Sequence, residues 1–179
     1  LGGAVGRVPL SPPHPPPAGD GMSMAVPPAE SVRAVLHAIR YGQPLGDIPL
    51  LDLALVTARL RAEGLADTRA SRAWGLGCCI DDIVWRHWTA LRGQAPGTAR
   101  PTLTPEGEWQ LLAADLASAS AARAGWGLLY FRYLSVGRRA MRHVIDDLGE
   151  PKRTVNYRIH RARVALADAL RPAEAGAGP

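Results

Sequence analysis

Apolar residues recur every three or four positions along most of the chain after Ser31, the spacing that places them on one side of an α-helix. Ser31 stands just before the first such stripe, where its hydroxyl is expected to cap the first helix. That stripe consists of Val32, Val35, Leu36 and Ile39. No segment shows the strict alternation of apolar and polar residues that is typical of a β-strand. The pattern therefore predicts an all-α fold with about seven helices.

Residues 47–64 predict a helix that is apolar on most sides. Asp47 is expected to cap it, Pro49 lies in its first turn, and Gly64 ends it. Because a helix that is apolar all round is usually buried, this segment is predicted to be the central helix of a bundle. The next segment, residues 71–93, predicts a helix with an apolar stripe at Leu76, Ile80, Ile83, His87 and Leu91.

A further helix is predicted after a loop rich in Gly and Pro at residues 93–101. Thr104 is expected to cap this helix, Pro105 occupies its first position, and acidic residues lie in its first turn. Gly125 and Gly127 are predicted to interrupt the helical pattern before the segment WGLLYFRYL. The helix that Thr104 is expected to cap has a predicted buried side, which consists of Trp109, Leu112, Ala113 and Leu116.

The excess positive charge of the chain lies near its C-terminus. The net charge is +5, and residues 137–171 hold nine of the 21 Lys and Arg residues but only four of the 16 Asp and Glu residues. The rest of the chain is therefore close to neutral. A basic patch confined to one segment indicates a polyanionic partner.

The same basic segment predicts two helices joined by a short turn. The first helix has an apolar seam, and Gly149 follows it at a point where a residue with positive φ can end a helix. After Pro151 a second apolar stripe begins, at Val155, Ile159, Ala162 and Leu166. Two helices joined by a short turn that contains Gly are the helix-turn-helix arrangement, whose second helix enters the major groove of DNA.

The sequence LLYFRYL, followed by VIDDLGEPKRTVNYRIHRARVAL, resembles region four of bacterial sigma factors and the related output domains of response regulators. The resemblance covers about the last quarter of the chain, and its most specific parts are LG, RTV and RIHRAR. It implies that Thr154 and Val155 begin the recognition helix. It also implies that Arg158 and Arg161 meet DNA phosphates. Asn156 stands where the family often has lysine, and an asparagine can bind adenine through two hydrogen bonds.

Some positions differ from the pattern of that family. Pro151 stands where the family usually has a serine that caps the recognition helix, and Ile145 stands where it prefers alanine. Arg138 and Arg139 replace the glutamates that commonly open the first helix. Residues 1–124 contain no aromatic-rich helix of the kind that melts promoter DNA. A complete sigma factor is therefore not expected.

We expect a cytoplasmic, bacterial-type transcription regulator that binds double-stranded DNA through a helix-turn-helix. The residues predicted to approach base edges are Lys152, Arg153, Thr154, Asn156, Tyr157 and His160. The residues predicted to approach the DNA backbone are Arg138, Arg139, Arg142, Arg158 and Arg161.

This interpretation divides the chain into four parts. Residues 1–29 are rich in proline, which fixes φ and removes a backbone donor, and they are predicted to be disordered. Residues 30–124 are predicted to form a helical bundle for dimerisation or partner binding. Residues 125–172 are predicted to carry the helix-turn-helix that resembles sigma region four, and residues 173–179 to form a disordered tail.

A protein-interaction module is the alternative function. The same fold would then dock its basic helix on an acidic protein, because a fold does not determine a function. RNA polymerase or another protein remains a candidate partner beside DNA. A homodimer is also considered, because Trp85 and Trp88 cannot both face inward with Ile83 and His87.

Other chemistry has little support in the sequence. Cys78 and Cys79 are too few for a disulfide framework or a metal site, and Cys79 is expected to pack in the core. His87 is expected to be an interior histidine, and the five tryptophans to be core or interface residues. No catalytic spacing or phosphate loop stands out, so we expect neither an enzyme nor a cofactor. No apolar run is long enough to cross a membrane.

Overall fold

The computed structural model describes residues 29–95, 104–135, 137 and 141–176. These residues contain seven α-helices and no strand, which confirms the predicted all-α fold for this part of the chain. The helices are α1 (Ala29–Tyr41), α2 (Ala54–Ala62), α3 (Arg69–Ala90), α4 (Pro105–Leu116), α5 (Ala121–Tyr133), α6 (Met141–Leu148) and α7 (Lys152–Ala175). The predictions for residues 1–28 and for most of the loop before Thr104 lie outside the described residues.

Residues 47–64 do not form the single central helix that their pattern predicts. A 3₁₀ turn at Pro49–Asp52 comes first, and Leu53 is extended (φ −61°, ψ 137°) before α2 begins. The Arg72 guanidinium donates to the Leu51 carbonyl oxygen at 3.2 Å and so occupies an acceptor that a continuous helix would use. The central helix is instead α5, in which nine of 13 residues are buried.

The buried stripe of α3 follows the prediction over only part of its length. The helix is buried as predicted at Leu76, Ile80 and Ile83. Further along, Trp88 is buried, whereas His87 and Leu91 are exposed, which contradicts their predicted place on the stripe. The inward position of Trp88 is stabilised by Asp115, which accepts a hydrogen bond from the indole N–H.

Capping side chains determine where α4 and α5 begin. Thr104 caps α4 as predicted, because its hydroxyl accepts a hydrogen bond from the Gly107 N–H at 3.1 Å. The Ser120 hydroxyl accepts from the Arg123 N–H at 3.2 Å and caps α5 in the same way. The break between the two helices therefore comes before Ser120 and not at the glycines.

Gly125 and Gly127 lie inside α5, so the predicted interruption at these residues is wrong. Each glycine provides space for a neighbouring group. A Cβ atom on Gly125 would be 3.1 Å from the Arg158 carbonyl oxygen, and one on Gly127 would be 2.8 Å from Asp115 Oδ2. Close contact with α7 and α4 thus explains both glycines.

Asp115 of α4 is fully buried and connects three helices. Its carboxylate accepts a hydrogen bond from Trp88 Nε1 of α3 at 2.5 Å. It also pairs with Arg92, which follows α3, at 3.1 Å, and with Arg123 of α5 at 2.5 Å. Buried charges are stable only when they are paired in this way.

Glu108 is the second buried carboxylate of α4 and is 2 % exposed. It accepts hydrogen bonds from the hydroxyls of Tyr130, at 2.9 Å, and Ser135. Of the predicted buried residues of α4, only Leu112 is fully buried, and Trp109, Ala113 and Leu116 are half-buried. The two carboxylates therefore take much of the buried side, and they fix α4 against α5.

Helix α7 packs on this framework, chiefly against α5 and next against α1. Its buried stripe includes all four predicted residues and continues toward the C-terminus, at Val155, Ile159, Ala162, Leu166, Ala167 and Leu170. The helix reaches Ala175, within the segment predicted as a tail. Because one side of α7 is covered by the bundle, the opposite side faces outward.

Candidate nucleic-acid interface

The outward side of α7 carries most of the residues that we expect to meet DNA. The first three turns expose Lys152, Arg153, Asn156, Tyr157, His160 and Arg161. Tyr157 is 58 % exposed, and Val164, two turns further along the same side, is 40 % exposed. The structure therefore brings six of the eleven predicted residues together on one solvent-facing surface, which we call the outer face of α7.

No acidic residue interrupts this surface. Residues 152–167 contain no Asp or Glu. Other arginines of the described chain, such as Arg69 and Arg72, pair with aspartates at 2.6–2.9 Å. Lys152 and Arg161, in contrast, have no carboxylate partner among the described residues, nor does Arg153. Their charges are therefore available to an external anion.

Two predicted residues lie at the border of the outer face. Thr154 and Arg158 are half-buried. The Arg158 guanidinium forms an ion pair with Glu150 at 3.1 Å, and both side chains are mostly covered. A phosphate contact by Arg158 would have to compete with this pair, and its assignment to the DNA backbone stays a prediction.

The segment before α7 contains the expected turn. Gly149 has a φ of +67°, a left-handed conformation that glycine adopts without strain. Helix α6 is held by the fully buried Val144 but makes few close backbone contacts with any other described helix. Arg142 of α6 is exposed, whereas Arg138 and Arg139 lie outside the described residues. The helix-turn-helix pairing of α6 with α7 therefore stays a prediction.

The N-terminus of α7 has an electrostatic property that favours anions. Pro151 precedes the helix, and its backbone oxygen accepts the first helical hydrogen bond, from the Val155 N–H at 3.0 Å. Proline has no side-chain acceptor with which to cap the remaining N–H groups. These groups and the helix dipole give the N-terminal turn a partial positive charge.

A groove of about 180 Å³ runs along one flank of the outer face, between α7 and the first half of α5. Tyr157, Arg158 and Arg161 line it on one side, and Trp126 lines it on the other. The Trp126 ring stacks on His87 with 4.9 Å between centroids and an interplanar angle of 6°. Desolvation lowers the pKa of His87, which favours the neutral imidazole.

Reasoning from the sequence missed a second group of basic residues. The His37 ring lies beside the rings of Tyr41 and Tyr133, and Arg40 donates to the backbone oxygen of Arg132. The charges of Arg33, Arg132 and Arg163 also act on the His37 imidazole. The spacing of four and three residues between Arg33, His37 and Arg40 places them on one side of α1, and this was the only local signal.

The two cysteines show no features of a reactive or metal-binding site. Cys79 packs against the core, and its thiol lies 3.7 Å from the Leu55 carbonyl oxygen. Burial raises the pKa of Cys79 to about 11, so the thiolate is scarce at neutral pH. The described residues contain no cluster of His, Cys, Asp and Glu that could hold a metal ion. None of the described helices combines the length and the hydrophobicity that crossing a bilayer requires.

The tryptophans bear on the proposed dimer surface. Trp88 is buried, and Trp85 packs edge-on against it at 5.6 Å while remaining half-buried. Trp74 is 47 % exposed.

Comparisons with protein-family models, with curated proteins and with solved structures find no match to this chain.

Proposed function

We propose that this protein is a DNA-binding transcription regulator that places the outer face of α7 in the major groove. The observation that carries this proposal is the run of exposed, acid-free residues on the first three turns of α7. A helix with side chains is about 10–12 Å wide, and the major groove of B-DNA has about the same width. The exposed half of α7 matches that groove in size and in charge.

The outer face contains side chains for both kinds of DNA contact. Asn156 can bind the edge of adenine through two hydrogen bonds, and Arg153 can bind guanine in the same manner. Arg161 and Arg142 are exposed cations that suit phosphate oxygens, and Lys152 is a further exposed donor for base edges. The positive N-terminal turn of α7 would add to the phosphate contacts.

The remaining helices would then support contacts with proteins. Trp74 of α3 is 47 % exposed and provides an apolar contact point for a second copy or for another protein such as RNA polymerase. Val164 adds an apolar residue to the outer face itself. An acidic protein that docks on this face is the outcome that would replace DNA binding.

The test is a double substitution on the outer face, Arg153→Ala with Arg161→Ala. A duplex is first recovered by selection with the native chain from random sequences, and its affinity is then measured by equilibrium titration at several salt concentrations. We expect the affinity to fall by about tenfold to hundredfold and the salt slope to decrease by about one. The slope decreases because fewer counterions are released when one phosphate contact is lost.

A control variant, Arg61→Ala with Arg171→Ala, removes the same charge from exposed positions outside the first three turns of α7. It should bind the duplex nearly as well as the native chain. If the two double variants have equal affinity, the outer face is not the DNA-binding surface. If selection recovers no duplex, and an acidic protein binds the native chain but not the outer-face variant, the function is protein interaction.

A further inference from the structure

The basic residues that surround His37 come from three helices. Arg33 and Arg40 belong to α1, Arg132 to α5 and Arg163 to α7, and α1 packs against both of the other helices. Desolvation is the largest cause that lowers the pKa of His37, and the positive charge of all four arginines lowers it further. Four guanidinium groups therefore lie within electrostatic range of one imidazole. We call this group the His37 cluster.

Aromatic rings hold parts of the His37 cluster in place. The His37 ring lies 5.9 Å from the buried Tyr133 ring and 5.3 Å from Tyr41. Arg132 packs over Tyr133 at 5.4 Å, and Arg40 packs over Tyr41 at 5.8 Å. These contacts, of the cation–π kind, orient the guanidinium groups but leave their charge in place.

Carboxylates contribute little to this cluster. Glu30 pairs with Arg33 at 3.5 Å, and both side chains are more than half exposed, so the pair is weak. Arg40 donates to the backbone oxygen of Arg132 and not to an acid. Arg132 and Arg163 have no carboxylate partner in the described part of the chain, and Arg163 Nε is buried without a hydrogen bond. Among the described residues, the cluster thus has one buried donor without an acceptor and two guanidinium charges without a carboxylate partner.

The His37 cluster also adjoins the outer face of α7. Arg163 follows His160 by three residues and therefore lies one turn further along the same flank of the helix. Ten residues separate Arg153 from Arg163, a distance of about 15 Å along the helix axis. A phosphate bound by the cluster would therefore lie about 15 Å along the helix axis from the contacts of Arg153.

We propose that the His37 cluster is a phosphate-binding site and that its phosphate belongs to the DNA backbone beside the groove that α7 enters. The DNA part of this inference rests on the function proposed above. Planar guanidinium groups that lack a carboxylate partner suit phosphate oxygens, because each can donate two parallel hydrogen bonds. His37 adds a further polar group to the site, and its lowered pKa favours the neutral imidazole.

The phosphate site is tested first without DNA. Inorganic phosphate is titrated into the full chain while the imidazole resonances are followed by NMR, and the His37 signal is assigned by its loss in His37→Gln. We expect a saturable shift of the His37 signal in the native chain and in the control Arg61→Gln with Arg171→Gln. The shift should be lost in Arg132→Gln with Arg163→Gln, which keeps the Arg132 backbone oxygen that Arg40 uses.

Two results would overturn the phosphate site: no saturable shift in the native chain, or an equal shift in both double variants. Thermal unfolding of each variant is measured alongside. The single variants Arg132→Gln and Arg163→Gln replace the double variant if it unfolds, and each should weaken phosphate binding.

The DNA assignment is tested with the selected duplex. We expect Arg132→Gln with Arg163→Gln to weaken binding by about tenfold and to reduce the salt slope by about one. If these changes leave affinity intact while the outer-face variant loses it, the backbone assignment is wrong and the proposed function stands. If the native chain binds inorganic phosphate but no duplex, the proposed function and the backbone assignment fail together, and the site serves a phosphorylated small molecule.

Discussion

Replacing Gly127 with alanine should destabilise the protein, although alanine is the better helix former. Gly127 lies inside α5, where a Cβ atom would be 2.8 Å from Asp115 Oδ2 and 3.2 Å from Trp88 Nε1. Both distances are shorter than normal van der Waals contacts. The Asp115 carboxylate has little room to move, because it is fully buried and also paired with Arg92 and Arg123.

The magnitude follows from two opposing effects. Alanine in place of glycine inside a helix stabilises by about 1 kcal/mol. Displacing Asp115 weakens its bond to the buried indole N–H of Trp88, and an unsatisfied buried donor costs about 1–3 kcal/mol. Overpacking a well-filled core costs a further 1–3 kcal/mol or so. The net result is a loss of about 3 kcal/mol, which lowers the melting temperature by about 6–12 °C for a chain of this size.

The measurement is urea unfolding of the native chain, Gly127→Ala and Gly77→Ala. Gly77 lies in α3, where a Cβ atom would meet only the Ile39 side chain, at 3.9 Å. This control should be neutral or stabilised by up to about 1 kcal/mol, since only the helix preference acts there. If Gly127→Ala proves as stable as the native chain, the close approach of Asp115 to α5 is not a constraint on this fold.

Two further predictions concern titratable side chains. Because burial raises the pKa of Cys79 to about 11, iodoacetamide near neutral pH should label Cys79 far more slowly in the native chain than in urea. Peptide mass mapping measures the two labelling rates, and equal rates would show that the thiol is accessible and ionised. Desolvation lowers the pKa of folded His87 below 6.5, so the unfolded chain binds this proton more readily. Titration of His87 should leave the free energy of unfolding unchanged above pH 6.5. It should lower this free energy as the pH drops from 6.5 through the pKa of folded His87. Urea unfolding of the native chain and His87→Gln across this range measures the effect, and an identical pH dependence of the two proteins would rule it out.

Hydrophobic periodicity was sufficient to predict the buried residues of a helix that has one buried side. The stripe of α7 could be predicted because the bundle covers that side and the other meets solvent. The same reasoning failed for α5, which is buried on most sides and contains Gly125 and Gly127. Glycine in a helix usually indicates a break, and the contacts that make it favourable here come from Arg158 and Asp115 on other helices.

The buried carboxylates illustrate a second limit of sequence reasoning. Glu108 and Asp115 would each be assigned to a surface from their residue type, because charged residues are seldom fully buried. Tyr130 and Ser135, which bind Glu108, lie 22 and 27 residues away from it in sequence, and Trp88 lies 27 residues away from Asp115. Such pairings follow from the packing of α3, α4 and α5, and no local pattern encodes them.

The two basic surfaces differ in the same way in how far the sequence alone predicts them. The outer face of α7 is contiguous in sequence, so its basic character could be recognised without a structure. The His37 cluster is assembled from three helices, and each contributes only one or two of its arginines. Only the packing of α1 against α5 and α7 reveals it.

Two groups of arginines in the described structure differ in how their charge is balanced, and the second group is difficult to explain by stability. Those around Asp115 and those that pair with surface aspartates have their charge balanced within the fold. Arg132 and Arg163 have no such balance in the described structure, and Arg163 leaves a buried Nε without an acceptor. A buried donor without a partner destabilises a protein, and like charges on neighbouring helices add to that cost. Residues that break a local rule in this way are expected at functional sites, where a ligand supplies the missing partner. A phosphate beside His37 would supply both the acceptor and the charge, and its binding should therefore stabilise the fold as well as the complex.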